Sequence, residues 1–297
     1  MYPMSLAREP LARALLLREF AWAKINLALD VGALRQDGYH EVRMLMQTVS
    51  LCDQVTIRLD TGRWWADGGD ALPHDTRNLA LRAAEVFCHA TGFTPDGMDI
   101  TLEKHIPAGA GLGGGSADAA AVLRALQRHC NDPLTTDALL ALAARVGSDV
   151  PFCLLGGTAL AEGRGERLTP LQPLADCEIV LCKPDFFSST PALYRALDGC
   201  PPTVHPDLPG LTAKLHNVAA FGAGMYNVFE PLLTAEHTEL ADIRRILMDC
   251  GAAGAMLTGT GSAMFGLFTD PDAAECAAAA LRRVVPWVER AKPVAKV

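Results

Sequence analysis

Between Pro107 and Ala121 the chain reads P-A-G-A-G-L-G-G-G-S-A-D-A-A-A, with five glycines in the seven residues from Gly109 to Gly115. Glycine adopts positive φ at little cost and leaves no Cβ between the backbone and a ligand. Alanine then takes over, predicting a helix from Ala117 to about His129 with Ser116 as its N-cap. A loop opening directly onto a helix aims free N–H groups and the positive end of the helix dipole at one point. Such a junction suits a phosphate.

Three readings fit these glycines. Gly109 to Ser116 spells G-x-x-x-x-G-K-[ST], except that Gly115 stands where the lysine belongs. Gly109-x-Gly111-x-x-Gly114 also spells the dinucleotide fingerprint, which needs a strand before it and an acidic residue ending the next strand. Asp132 lies at about the right distance, but in an N-D-P turn that ends a helix. A glycine-rich surface turn is the third reading. A phosphate cradle lacking its own lysine must take a cation from elsewhere in the chain.

Four other features can be set beside the loop. Phe20 to Val31, F-A-W-A-K-I-N-L-A-L-D-V, alternates as a strand and puts Lys24, Asn26 and Ala28 on one face; a solvated face of an edge strand would explain them equally. Asp149, in G-S-D-V-P-F, sits at a helix-to-strand junction, either capping a turn or free to accept a proton. Tyr39 and His40 follow an Asp37-Gly38 turn, as a half-buried surface pair or as ligand contacts. Gly259 to Ser262 form a second glycine turn. Phosphoryl transfer needs a phosphate cradle, a cation against developing charge, and a group that orients or deprotonates the accepting hydroxyl. The loop, Lys24 and Asp149 would supply all three.

The elements that must hold these residues follow from periodicity and breakers. Met44 to Leu51 and Gln54 to Leu59 read as separate strands, and Trp64-Trp65 as an exposed hairpin in the loop Thr61 to Arg77. Asn78 to Ala90 has helical spacing, and Met98 to His105 is a strand leading into the glycines. A helix with Thr136 as N-cap runs to Val146; Pro151 then bars further helix, so Phe152 to Glu162 reads as a strand bent at Gly156-Gly157. Gly163 to Pro173 is turn-rich and marks the softest domain boundary. Beyond it come a strand, Glu178 to Lys183, and a helix capped by Thr190 that begins at Pro191 and carries Tyr194. Helical stretches around Leu211 to Ala219 and Ala235 to Cys250 precede strands flanking the second glycine turn and a last helix, Pro271 to Val284.

Composition bounds the rest. A chain of 297 residues, half of them apolar, can build one large or two ordinary domains. A net charge of −8 with no basic run argues against nucleic acid as a partner, so an anionic substrate needs a local positive pocket. No apolar run reaches membrane-spanning length. The nine cysteines are scattered without C-x-x-C, as expected of reduced thiols in a cytoplasmic protein. The leucines of residues 1–19 are interrupted by Arg13, Arg18 and Glu19, which makes a poor signal peptide and reads as an extension before the domain proper.

Taken together and in order, A-K-I-N-L, D-G-Y-H, P-A-G-A-G-L-G-G-G-S-A-D-A-A, G-S-D-V-P-F and L-T-G-T-G-S-A resemble the GHMP small-molecule kinases. The likeness spans Ala23 to Phe268. A-K-I-N-L followed by D-G-Y-H points to the branch whose acceptor is a small molecule carrying a cytidine diphosphate moiety. The resemblance implies an α+β, two-domain fold: a ribosomal-protein-S5-like N-terminal domain over 20–172 and an α/β-sandwich C-terminal domain over 173–297. It implies ATP-dependent phosphorylation, with Asp149 as base and Lys24 as its electrostatic partner. Pro107, Ala108, Gly109, Ala110, Gly111, Leu112, Gly113, Gly114, Gly115, Ser116 and Ala117 match the ATP phosphate loop, and Asn78 and Lys104 fall near the adenosine. Tyr39, His40, Thr190 and Tyr194 match the acceptor site, two rings sandwiching the cytosine while the His40 backbone reads its edge. Asn26 falls near the reacting end.

Two positions depart from the family pattern. Ser116-Ala117 replaces a common serine pair, and Ala138, beside Asp137, stands where many members place a Mg²⁺-binding glutamate. Mg²⁺ is therefore expected to arrive with ATP, held mainly by phosphates, and its protein ligands stay unassigned. Kinases of the homoserine or mevalonate type, an NAD-linked oxidoreductase and a silent binding module are the competing readings.

Overall fold

The computed structural model describes residues 16–69 and 72–297; the expected extension lies outside this range up to residue 15. Two sheets organise the chain. The first holds β1 (Leu16–Leu34), β2 (His40–Leu59), β3 (Trp64–Asp67), β4 (Met98–Glu103), β5 (Thr158–Gly163) and β6 (Arg167–Pro170). The second is β7 (Glu178–Lys183), β9 (Gly254–Leu257), β10 (Met264–Phe268) and β11 (Trp287–Ala291), in the order β11-β7-β10-β9. The remaining strand, β8 (Tyr226–Asn227), comes from the C-terminal half yet pairs in parallel with Ala28 and Leu29 of β1.

The first sheet runs β3-β4-β2-β1-β8, with β5 also paired to β2 and β6 to β5. One long strand makes this branching possible. The Val42–Gln47 part of β2 pairs with β5, and its Gln54–Leu59 part pairs with β4. The sequence predicts two separate strands here, Met44 to Leu51 and Gln54 to Leu59. Instead Asp53 is buried within β2 and accepts the N–H groups of His105 and Ile106, just beyond the neighbouring strand β4. Trp64-Trp65 likewise forms no hairpin: β3 lies parallel to β4.

Helices α1 (Leu79–Thr91), α2 (Gly114–His129), α3 (Thr136–Val146) and α4 (Val150–Leu155) belong to the N-terminal half. Alanines 117, 119, 120, 121 and 125 of α2 are buried and let it lie close on β1 and α1. Phe87, wholly buried, anchors α1 in that core, a burial worth roughly 2 kcal/mol. Helices α5 (Thr190–Gly199), α6 (Leu208–Thr212), α7 (Val218–Gly222), α8 (Glu230–Glu236), α9 (Glu239–Asp249) and α10 (Pro271–Leu281) belong to the C-terminal half. A second core joins α9 and α10 to Val180, Leu257 and Phe268, and it also takes Met46 and Phe152 from the first half. No helix among the described residues is long and apolar enough to cross a membrane.

Several local expectations change. The α3 cap is Thr135, whose hydroxyl accepts from the Ala138 N–H at 3.3 Å, and not Thr136. Pro151 does not bar a helix; it occupies the first turn of α4, where a missing N–H costs nothing. The strand expected from Phe152 therefore starts only at Thr158, after the turn at Gly156 and Gly157. Leucines around 208–212 and residues 218–222 form two short helices, and the C-terminal strand β11 was not foreseen.

Candidate active site

The phosphate loop departs from expectation at one point that matters. Helix α2 begins at Gly114, with Gly113 (φ 73°) in the cap position and no side-chain cap. Ser116 is therefore in the first turn and is not the N-cap. The first bond of the helix is Ala117 N–H to Gly113 C=O at 2.8 Å, so the N–H groups of Gly114, Gly115 and Ser116 have no partner within it. An uncapped helix start is an anion site. The loop walls a cavity of about 360 Å³ with Pro107, Ala108, Gly109, Ala110, Gly111, Gly113, Gly114, Gly115 and Ser116. Leu112 and Ala117 turn away from it into the core.

Lys24 supplies the cation that the loop lacks. It is only 4 % exposed and reaches the loop from β1, its backbone N–H donating to Leu112 C=O at 3.0 Å. A Cβ on Gly113 would come 2.9 Å from Lys24 Cγ, so glycine is required there by close approach as well as by φ. The buried ammonium donates to Asn26 Oδ1 at 2.7 Å and lies 3.4 Å from Asp149 Oδ2. Strand alternation anticipates that Lys24 and Asn26 share a side. The edge-strand alternative does not hold, since β1 lies between β2 and β8.

Asp149 occupies the position before α4, yet its side chain accepts no hydrogen bond from the helix and is 30 % exposed. One carboxylate oxygen thus faces Lys24 while the group stays open to a ligand. Asn26 is held in turn by the second glycine turn: its N–H donates to Thr258 Oγ1 at 3.0 Å, and Thr258 Oγ1 donates to Gly111 C=O at 3.3 Å. Ala263 N–H to Ala110 C=O, 3.1 Å, adds a second tie. The C-terminal turn is thereby clamped on both β1 and the glycine loop.

Tyr194 packs between His40 (ring centroids 5.2 Å apart) and Phe229 (5.0 Å). Burial pushes its phenol up to about 12, and the nearby Asp149 charge adds to the rise. Tyr39 is 54 % exposed, with the Arg164 guanidinium 5.0 Å from its ring centre. Among the described rings Tyr39 and Tyr194 are not in contact with each other. His40 Nε2 is bonded to Asp198 Oδ1 at 2.8 Å. Thr190 does not cap α5, since Ser189 holds that position; its hydroxyl pairs with that of Thr260 at 2.7 Å.

Known proteins share this arrangement. The family model described as GHMP kinases N terminal domain matches residues 78–157, which include the loop and Asp149, and the GHMP kinases C terminal model matches 209–286. A 4-diphosphocytidyl-2-C-methyl-D-erythritol kinase of Pelotomaculum thermopropionicum is 44 % identical over 270 residues, covering 89 % of this chain and 93 % of its own. The kinase of that name from Clostridium tetani is 40 % identical over 258 residues, covering 86 % and 92 %. The chain belongs to the 4-diphosphocytidyl-2-C-methyl-D-erythritol kinase family. A crystal structure titled 4-(cytidine 5'-diphospho)-2C-methyl-D-erythritol kinase superposes with a TM-score of 0.80 at 36 % identity, covering 93 % of this chain and 99 % of that one. A homoserine kinase of Cytophaga hutchinsonii, at 21 % identity and TM-score 0.76, shares the fold. Family membership sets aside the NAD-linked reading of the glycines.

For a kinase of this family, the remaining residues around the loop are informative. Asn78 caps α1 by accepting from Ala80 N–H at 3.0 Å and donates to Pro73 C=O at 3.0 Å, so its amide shapes the cavity wall. Lys104 lines the same cavity with its ammonium held by Asp53 and Asp118. Arg77 and Asp118, which line the cavity, Thr258, which ties Asn26 to the loop, and Arg164, over the Tyr39 ring, are not among the residues the sequence predicts. Asp118 and Thr258 lie inside quoted motifs, where short polar residues beside glycines were a usable signal; Arg77 and Arg164 carry none. Among the described residues no group of three or more His, Cys, Asp or Glu is arranged to hold a metal ion. A larger hollow of about 550 Å³, between α8, α9 and β9, offers no glycine cradle, and its Glu230 is already paired with Arg244.

Proposed function

We propose that the protein transfers the γ-phosphoryl group of ATP to the 2-hydroxyl of 4-diphosphocytidyl-2-C-methyl-D-erythritol, giving the 2-phosphate and ADP for isoprenoid precursor synthesis by the non-mevalonate route. One observation carries the reading: Lys24 and Asp149, 3.4 Å apart, meet at an uncapped glycine cradle in a chain of this kinase family. The N–H groups of Gly114, Gly115 and Ser116 receive the phosphates. Asp149 takes the proton of the acceptor hydroxyl as its oxygen bonds to the γ-phosphorus and the bond to the ADP oxygen breaks. Lys24, fixed by Asn26, lies against Asp149 and opposes the charge developing on the transferred group. Mg²⁺ carried on the ATP phosphates would neutralise the departing oxygens.

Tyr39 and Tyr194 bind the cytosine by stacking, with the His40 backbone at its edge and Thr190 beside it; each ring face is worth roughly 1–3 kcal/mol. The reading divides the chain at about residue 172, between β6 and β7, with both substrates meeting between the halves. The nine free cysteines accord with work in the cytoplasm. ADP release from ATP, Mg²⁺ and the cytidyl substrate tests the assignment directly. Turnover of homoserine or mevalonate in place of that substrate would overturn it.

A further inference from the structure

The cavity assigned to ATP carries an unexpected charge balance. Lys104, just before the loop, and Asp118, just after it, are joined at 2.5 Å, so the pair closes the neck of the loop across fourteen residues. Asp53 on β2 binds the same ammonium and also accepts the N–H groups of His105 (2.5 Å) and Ile106 (2.8 Å). Two buried carboxylates thus share one ammonium beside a site for a polyanion. Asp118 is 2 % exposed, lines the cavity, and its Oδ1 has no hydrogen-bond partner. A bare anionic oxygen is costly to bury, and a neutral acid far less so.

We propose that Asp53 and Asp118 are positioning residues that clasp Lys104 with a proton carried on Asp118, and that nucleotide binds this net-neutral form in preference to the fully ionised one. The proposal rests on ATP occupying this cavity. Burial pushes the Asp118 carboxyl up to about 7; Lys104 opposes the rise and Asp53 adds to it. From α4, the Cys153 thiol also feels Asp118, but burial pushes it up to about 12 and it stays neutral. The segment leading into α1 brings the uncharged Asn78 to the same wall, together with Arg77, whose exposed guanidinium is paired with Asp75 at 2.9 Å. Near neutral pH, proton loss from Asp118 would leave a second negative charge against the phosphates. Lys104 would then be pulled back from the ligand.

The test is the ATP KM, read separately from kcat, between pH 7.5 and 8.5 at saturating Mg²⁺, where the nucleotide itself is fully ionised. If only the protonated clasp binds, KM rises about eightfold over that range, and Asp118→Asn, neutral at every pH, holds a low and flat KM. A flat wild-type KM, or a slope kept by Asp118→Asn, overturns the proposal. Should that variant fail to fold, calorimetry of MgADP binding to the wild-type protein at pH 8, in Tris and in HEPES, reads the same linkage. Uptake close to one proton per nucleotide is expected, and none would refute the clasp. No binding heat in either buffer would instead refute the nucleotide site itself.

Discussion

Replacing Thr258 by valine removes one hydroxyl, keeps the side-chain volume, and should separate alignment of the site from its contents. The Asn26 N–H it accepts is buried and has no alternative partner in the sheet, because β8 covers only Ala28 and Leu29 of β1. Leaving such a donor unpaired costs about 1–3 kcal/mol, and the long bond to Gly111 C=O adds about 0.5 kcal/mol. For a chain of this size that predicts a melting temperature lower by about 5 °C. Freed from its anchor, Asn26 no longer fixes the Lys24 ammonium, and kcat should fall on the order of tenfold to a hundredfold. Thr258→Ser, which restores the hydroxyl without the methyl, should recover most of kcat. Dye-monitored melting and a coupled ADP-release assay on the three proteins read both quantities. Valine at wild-type kcat, or serine no better than valine, would refute the assignment of the hydroxyl as the tie.

Asp149→Asn should lower kcat by roughly 10²–10⁴ with nucleotide binding intact, measured by ADP release and by titration with ADP; near-normal turnover would remove Asp149 from the mechanism. Gly111→Ala meets both a φ of 78° and the Thr258 C=O at 2.2 Å from the new Cβ, so it should lower stability and raise the ATP KM together. Tyr39→Ala should raise KM for the cytidyl substrate roughly 5- to 150-fold by loss of stacking while leaving the melting temperature unchanged. Tyr194→Ala should change both, since its ring also packs on Phe229. Equal thermal effects from the two tyrosines would contradict the burial that distinguishes them.

Local signals found what depends on local geometry. Five glycines before an alanine run can scarcely serve anything but a close backbone approach, and a cradle without its own lysine requires a cation such as Lys24 from elsewhere in the chain. Period-two spacing put Lys24 and Asn26 on one side of β1, and their hydrogen bond follows from it. Breakers misled where their meaning depends on context. Pro151 reads as a bar to further helix and lies in the first turn of one; Asp53, between two expected strands, is a buried partner of Lys104 within a single strand.

By itself the sequence determined the chemistry on offer: a glycine cradle, a lysine on a largely apolar strand, a carboxylate two residues before a proline, and an aromatic pair after a tight turn. Their residue types and short-range spacing carry that information, because φ preference and strand alternation act over a few residues. Only the tertiary structure decided which groups meet. Lys24 and Asp149 come within 3.4 Å because α2, α3 and α4 carry the chain back to β1, and Thr258 reaches Asn26 across 232 residues. Such contacts are set by how two sheets pack around shared cores, and no local pattern encodes them. The same packing decided charge: Asp118 acquires its raised proton affinity from burial beside Asp53, which its neighbours in sequence do not foretell.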